Sequence, residues 1–375
     1  MKNGKQIIKA VFLHIFVGIL RFVYLFIKIL PSGKKILFIS RQSNICSMDF
    51  EMLIERFKCE LPEYNLIVLT KRINNKAIYF IDLIKQMYHI ATARACIIDS
   101  YSIPISVLKH KKTLKVVQIW HSMGAIKQFG FQCVGKSAGR DEVTTKVLKM
   151  HNNYNLIFSG SKAMIEYYSK AFNYDENRFL VNNLPRMDYI NNNINNKSLK
   201  DKISQKYPGI FEKKTILYVP TFRKKKNYFL KDLIDNIDFT EFNLIVKFHP
   251  NKKQEYFDNR VYFCKEFSSI ELMLFSDCLI TDYSAISIEA SGLGIPVYFY
   301  LYDYEEYIIS NGLNIDLPND YPGLVFRKAK NILINYNSGE YDYSQLEKFN
   351  RRFISGNINN ATEQMVKKII SEFRL

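Results

Sequence analysis

Two histidines sit where an α/β protein keeps its chemistry. His121 follows the strand-like run Val116-Val117-Gln118-Ile119-Trp120, and His249 follows Leu244-Ile245-Val246-Lys247-Phe248. Ligands of open α/β sheets bind outside the carboxyl ends of the strands. An imidazole there has a free pKa near neutrality and suits removal of a proton from an attacking hydroxyl. As a donor or a cation, it suits charge building on a transferred phosphoryl group. The plain alternative for either residue is a histidine hydrogen-bonded inside a structural turn. Two such positions, one in each half of the chain, point instead to a single substrate held between them. Gly124, shortly after His121, leaves room for a ligand against the backbone, and Pro250 fixes the chain as it leaves its strand.

Two further segments suit anions. Thr221-Phe222-Arg223 follows Ile216-Leu217-Tyr218-Val219-Pro220 and runs into Lys224-Lys225-Lys226. Arginine presents a planar fork matched to phosphate oxygens, whereas the lysines supply diffuse positive potential from a solvated loop. The run Thr281-Asp282-Tyr283-Ser284-Ala285-Ile286-Ser287-Ile288-Glu289 reads as a strand end, a turn and a first helical turn, with Gly292 and Gly294 closing the helix. Ser284 or Asp282 could cap that helix. The same geometry aims unpaired N–H groups at a diphosphate, and the two readings are compatible. Neither G-x-x-x-x-G-K-[ST] nor G-x-G-x-x-G occurs, which argues against a P-loop ATPase and a dinucleotide enzyme.

Positioning these residues requires strands that end at them. Ile36–Ser40, Leu66–Leu69, Cys96–Asp99, Val116–Ile119, Leu156–Ser159 and Phe179–Val181 read as strands with helix-length segments between, which implies a parallel sheet with crossover helices. The asparagine-rich stretch 191–196 then offers no apolar face to bury, and it is the expected domain boundary. The alternation resumes with Thr215–Val219, Leu244–Phe248, Val261–Phe263, Cys278–Thr281 and Pro296–Tyr300. The expected organisation is a segment 1–33, a first Rossmann-like domain 34–196 and a second 197–375, facing each other across a cleft. By analogy of fold this is the GT-B architecture; function must come from the sites.

Residues 7–30 are mostly apolar, but Lys9, Arg21 and Lys28 interrupt them. The longest charge-free stretch, 10–20, falls short of the ~18–20 residues of a spanning helix. On a helical wheel Lys2, Lys5, Lys9, His14, Arg21 and Lys28 share one half, opposite Phe12, Ile15, Ile19, Phe22 and Phe26. This pattern predicts an amphipathic helix lying in a membrane interface with its lysines toward anionic headgroups. A signal peptide is the rival, but no small-residue cleavage site follows. A helix packed on the protein itself is the bland alternative.

The length, 375 residues, suits two domains. The formal charge of +17 predicts an anionic partner, whether nucleic acid, membrane or phosphorylated substrate. Tyr and Phe, numerous as they are, fall within apolar runs, so core packing explains them better than base stacking. Six scattered cysteines without C-x-x-C or zinc-ligand spacing encode neither a disulfide framework nor a metal site, and reduced thiols are expected.

At these residues the chain resembles the CDP-glycerol glycerophosphotransferases of teichoic acid synthesis over roughly 35–370. The matching pieces are Trp120-His121 with Gly124, Lys127 and Gly130; Pro220 to Arg223; Lys247 with His249-Pro250; Thr281 to Ser284; and Pro296 through Phe299, Tyr300 and Asp303. Many polymerising members read Trp-His-Gly, whereas Ser122 stands here and the W-H-x-x-G form is more similar to the primases. The short N-terminus also resembles a primase. Many members carry a second serine where Ala285 stands. The resemblance implies a GT-B enzyme, peripheral to the cytoplasmic face of the cell membrane. It would move glycerol phosphate from CDP-glycerol to a lipid-linked undecaprenyl-diphosphate disaccharide and release CMP. It implies catalytic roles for His121, as general base, and His249, at the phosphate. The implied substrate-binding set is Trp120, Gly124, Thr221, Arg223, Lys247, Thr281, Asp282, Ser284, Ser287 and Glu289. No cofactor is required by the sequence, although magnesium can arrive with a diphosphate. Two alternatives stay open within the fold: a teichoic acid polymerase or CDP-ribitol ribitolphosphotransferase, and a nucleotide-sugar glycosyltransferase. A third, a non-enzymatic basic protein, leaves both histidine turns without a role; no nucleic-acid partner is expected.

Overall fold

The computed structural model describes residues 2–71, 76–221, 223, 229–248, 258–355 and 359–375. His249 and Pro250, Phe222, and Lys224 to Lys226 lie outside them. Two wholly parallel six-stranded sheets account for the alternating sequence. The first runs β2-β1-β3-β4-β5-β6, from β1 (Lys35–Ser40), β2 (Asn65–Thr70), β3 (Ala95–Ile98), β4 (Lys115–Gln118), β5 (Leu156–Ser159) and β6 (Phe179–Val181). The second runs β12-β11-β10-β7-β8-β9, from β7 (Lys214–Val219), β8 (Phe242–Val246), β9 (Val261–Tyr262), β10 (Cys278–Thr281), β11 (Val297–Tyr300) and β12 (Val325–Phe326). Each expected strand is present to within one or two residues. The two-residue β12, too short to carry a pattern, was not expected.

The strands form because their residues must be apolar on both faces. Every residue of β3, β5, β8, β10 and β11 is buried, as a parallel sheet covered by helices on both sides demands. Aromatic rings fill the cores: Tyr218, Tyr298 and Tyr300 are fully buried in the second, Phe38, Phe50 and Phe57 in the first. Buried phenols keep partners, as Tyr298 does by donating to Asn335 Oδ1 at 3.2 Å. All six cysteines are unpaired.

In each sheet the connection order reverses once. The first reverses at β1 and β3, the second at β7 and β10. Such a switch point opens a crevice at the strands' carboxyl ends, because the chain departs to opposite sides.

The chain divides into two units, 1–122 with 128–186 and 359–375, and 123–127 with 187–358. This differs from the expected boundary in two ways. The asparagine stretch lies inside the second unit, where Asn196 caps helix Lys197–Lys206 by accepting from the Leu199 amide at 3.0 Å. The C-terminal helix Ala361–Phe373 belongs to the first unit. It buries Ala361, Met365, Val366 and Ile369 and donates from Lys368 Nζ to the Val181 carbonyl at 2.7 Å. Arg56, on helix Met48–Glu60, reaches Glu363 at 3.1 Å.

The N-terminal helix Lys2–Ile27 docks on the first unit by Val17, Leu20 and Tyr24. Three basic residues of this segment reach back to the protein, although Lys5, Lys9, His14 and Arg21 remain exposed. Lys9 pairs with Asp141 at 2.6 Å, Arg21 Nε donates to the Val107 carbonyl at 3.1 Å, and Lys28 Nζ to the Lys109 carbonyl at 2.8 Å. The wheel orders the stripes correctly but cannot say which stripe meets the protein. Phe12, Ile15, Ile19, Phe22 and Phe26 are left exposed, Phe12 by 70%.

Candidate active site

In the first unit, consecutive strand ends assemble around His121. Asp99 follows β3, and His121 follows β4 by three residues. His121 Nδ1 lies 2.8 Å from the Asp99 carbonyl and 3.2 Å from Gln42 Nε2, beyond β1. A carbonyl can only accept, so the shorter contact holds the proton on Nδ1 and makes Nε2 the basic nitrogen; the Gln42 amide nitrogen, also a donor, is then a neighbour of Nδ1 and not its hydrogen-bond partner. The backbone is held as well: Arg186 Nη2 donates to the His121 carbonyl at 3.4 Å. Arg186 itself forms a buried pair with Asp49, whose Oδ1 also accepts the Arg186 amide at 2.9 Å. Asp99 is 3% exposed, and burial pushes its carboxyl up to about 6, against the pull of Ser40 and Ser100 hydroxyls. Sequence reasoning missed Asp99, although a strand ending on Asp-Ser was the available signal.

Trp120 precedes His121 with φ +59°, a left-handed conformation that a bulky residue adopts only under constraint. Its amide donates to Gln118 Oε1 at 2.8 Å, and its ring stacks on Phe129 with centroids 4.6 Å apart. The imidazole of His121 lies tilted against that indole, 4.2 Å between centroids. The tryptophan therefore acts as a wall that sets the histidine. At Gly124 a Cβ would crowd Phe353 Cδ1 and stand 2.7 Å from Ile288 Cδ1, so packing favours glycine there.

In the second unit the ends of β7 and β10 meet at the switch point. Asp282 Oδ1 accepts the Thr221 amide at 2.8 Å and the Tyr283 amide at 2.6 Å. Arg223, 11% exposed, spends its fork within the protein. Nη2 reaches Asp282 at 2.9 Å, Nε reaches Asp303 at 2.7 Å, and Nη1 donates to the Thr221 carbonyl at 3.1 Å. Its guanidinium also lies 4.7 Å from the Tyr307 ring, which stacks on Tyr283 at 3.9 Å. Burial disfavours this charge, but Asp282 and Asp303 outweigh it and hold Arg223 charged well beyond the ordinary range. Arg223 thus joins Thr221, Asp282 and Asp303 as a clamp. Lys127 stands near enough to feel Asp282 and Arg223; burial lowers its pKa, and its ammonium meets no acid partner among the described residues.

The remaining expected residues divide between structure and surface. Thr281 is fully buried and donates to the Val219 carbonyl at 2.6 Å. Lys247 ties β8 to the next loop by donating to the Cys264 and Lys265 carbonyls at 2.7 and 3.1 Å. Ser287 is buried, with its hydroxyl on the Ser284 carbonyl at 2.8 Å, and Glu289 is buried on the same helix. Helix Ile286–Gly292 begins without a side-chain cap, so neither Asp282 nor Ser284 serves as one. Ser284 stays partly exposed at its start. Among the described residues no group of three or more His, Cys, Asp or Glu comes together as a metal site.

Residues 22–371 match the family model of CDP-glycerol:poly(glycerophosphate) glycerophosphotransferases. The chain is 27% identical to the teichoic acid ribitol-phosphate primase of Bacillus spizizenii, over 90% of its own length and 91% of the relative's. It is 29% identical to the teichoic acid glycerol-phosphate primase of Bacillus subtilis, over 77% and 76%. In fold it resembles the wall teichoic acid polymerase TagF, with a TM-score of 0.74 at 18% identity, covering 100% of this chain and 98% of that one. The α/β expectation of a GT-B-like architecture agrees with that match. The chain belongs to the CDP-glycerol:poly(glycerophosphate) glycerophosphotransferase family and is a transferase of teichoic acid synthesis.

Proposed function

We propose that this enzyme takes glycerol phosphate from CDP-glycerol and places it on a lipid-linked disaccharide acceptor, as a primase adding a first unit. His121 carries the reading, because its strand-end position and fixed tautomer direct Nε2 as a base toward an incoming hydroxyl. The acceptor hydroxyl gives its proton to Nε2, its oxygen bonds to the phosphorus bearing glycerol, and the bond from that phosphorus to CMP breaks. His249, outside the described residues, is assigned by family resemblance to the phosphate. The protein contributes mainly position and electrostatics to such a step. Among the described residues Lys127, near Arg223 and Asp282, is the cation assigned to the donor diphosphate, beside Ser284 and the amides that open helix Ile286–Gly292.

The N-terminal helix supports work at the cytoplasmic membrane surface. By length and composition Gly4–Ile27 could also cross a bilayer. A crossing helix would have to abandon Val17, Leu20 and Tyr24 and the three polar ties, whereas one lying in the interface keeps them and buries its outer apolar face.

A second reading, ribitol phosphate from CDP-ribitol, is favoured by the similarity to the ribitol-phosphate primase. The test is CMP release from both donors, with and without acceptor, by wild type, His121→Ala and His249→Ala. Acceptor-dependent release that falls about 10²-fold or more in each variant supports the mechanism. Unchanged turnover in both removes it. Product length separates one unit from many.

A further inference from the structure

We propose that the switch point of the first sheet carries its own anion site, built by Arg41 and Arg140 on the ring of Tyr101, which holds the diphosphate of the lipid-linked acceptor. The strand order reverses between β1 and β3, so the crevice there is bounded by Arg41, immediately after β1, and Tyr101, shortly after β3. The ring is pinned by its hydroxyl, which donates to the Leu148 carbonyl at 2.7 Å. The Arg140 guanidinium carbon lies 4.4 Å from the ring centroid and that of Arg41 6.0 Å. Arg41 is oriented by Nη1 donating to the Tyr101 carbonyl at 3.1 Å and by its amide donating to Ser100 Oγ at 3.1 Å, while its buried Nε has no acceptor.

Neither arginine has a carboxylate at ion-pair distance among the described residues. Arg186 has Asp49, and Arg223 has two aspartates. Asp141, the chain neighbour of Arg140, is turned away to Lys9 and to the Thr144 amide and hydroxyl. Two guanidinium groups share one buried ring, and a bound anion offsets their mutual repulsion. A pair of planar forks suits a ligand with two phosphate groups.

The surroundings select the source of the diphosphate. Gln42, next to Arg41, reaches His121 Nδ1, so the site adjoins the base. Asp141, next to Arg140, anchors Lys9 of the N-terminal helix, so it also adjoins the element with the exposed apolar face. An anion tethered to a lipid and presenting a hydroxyl to His121 satisfies both neighbours. This assignment rests on the lipid-linked acceptor proposed above.

The test is calorimetric binding of geranyl diphosphate, geranyl monophosphate and CDP-glycerol to the full-length wild type, Arg41→Gln, Arg140→Gln and Arg140→Lys. The expected result is wild-type binding of the prenyl diphosphate that exceeds the monophosphate, weakened tenfold or more by either glutamine variant and partly restored by lysine. CDP-glycerol binding and melting temperature stay unchanged. Equal loss of CDP-glycerol would place the arginines on the donor and overturn the assignment, as would a wild type indifferent to the prenyl diphosphate. Phosphatidylglycerol vesicles are the final arm: if the variants lose these as much as the diphosphate, the site reads lipid headgroups and the acceptor assignment falls. Binding is read without turnover, so failure of the CMP-release assay with intact diphosphate binding would fault the transfer reading alone.

Discussion

Replacing Asp99 by asparagine should stabilise this enzyme, and more so as the pH rises. Asp99 is buried beside His121, and its carboxyl is pushed from 3.8 up to about 6, by burial first and by Asp49 in addition, despite hydrogen bonds from Ser40 and Ser100. Well below pH 3.8 the carboxyl is protonated in folded and unfolded chains alike. Between pH 4 and 6 the folded chain keeps a proton that the unfolded chain has released. Stability is therefore lost as the pH rises through that window, and above it the folded state carries the full cost of ionisation. A tenfold change in a dissociation constant corresponds to about 1.4 kcal/mol, so the cost approaches about 3 kcal/mol at pH 7.5. Asparagine is nearly isosteric and has no charge to develop. Urea unfolding of wild type and Asp99→Asn should differ by about 1 kcal/mol at pH 4.5 and by about 3 kcal/mol at pH 7.5. The backbone carbonyl that orients His121 is untouched by the substitution. Parallel pH profiles for the two proteins would refute the reasoning, since they would mean that Asp99 ionises in the fold as readily as in water.

Arg223→Met should cost about 3–5 kcal/mol, because it leaves Asp282 and Asp303 buried without their cation. Arg223→Lys keeps the charge but not the fork and should fall between; equal unfolding midpoints for all three proteins would contradict the clamp. Gly124→Ala should lose about 1–3 kcal/mol to its clash with Phe353 and Ile288, and adding Phe353→Ala should remove that increment from the melting temperature. Phe12→Glu with Phe22→Glu should reduce sedimentation with anionic vesicles at least tenfold without moving the melting temperature, since both rings are already exposed. Vesicle binding equal to wild type would exclude the outer face of the helix as the contact.

What the sequence discloses follows the range of the forces involved. Parallel strands buried on both faces must be continuous apolar runs, so β1 to β11 are legible, and with them the positions of His121 and Arg223 at strand ends. The partners of those residues are not legible, because they depend on which strand ends become neighbours. Arg223 meets Asp303, 80 positions away, only once β7, β10 and β11 lie side by side. The C-terminal helix shows its amphipathic stripe in sequence, yet nothing local says that the stripe fits the first unit. The packing of Phe353 and Ile288 around Gly124 is equally invisible in the sequence, since both come from distant segments.

The two switch points differ in charge, and the difference bears on how two anionic substrates can be handled. Among the described residues of the second unit Arg223 is faced by Asp282 and Asp303, with Lys127 nearby, so these four charges nearly cancel. Affinity for a donor must then come from directed contacts: the Lys127 ammonium, the amides opening helix Ile286–Gly292, and the nucleoside. In the first unit Arg41 and Arg140 share the Tyr101 ring with no carboxylate at ion-pair distance among the described residues. The first site can therefore draw an anion by charge, whereas the second must hold one by directed contacts.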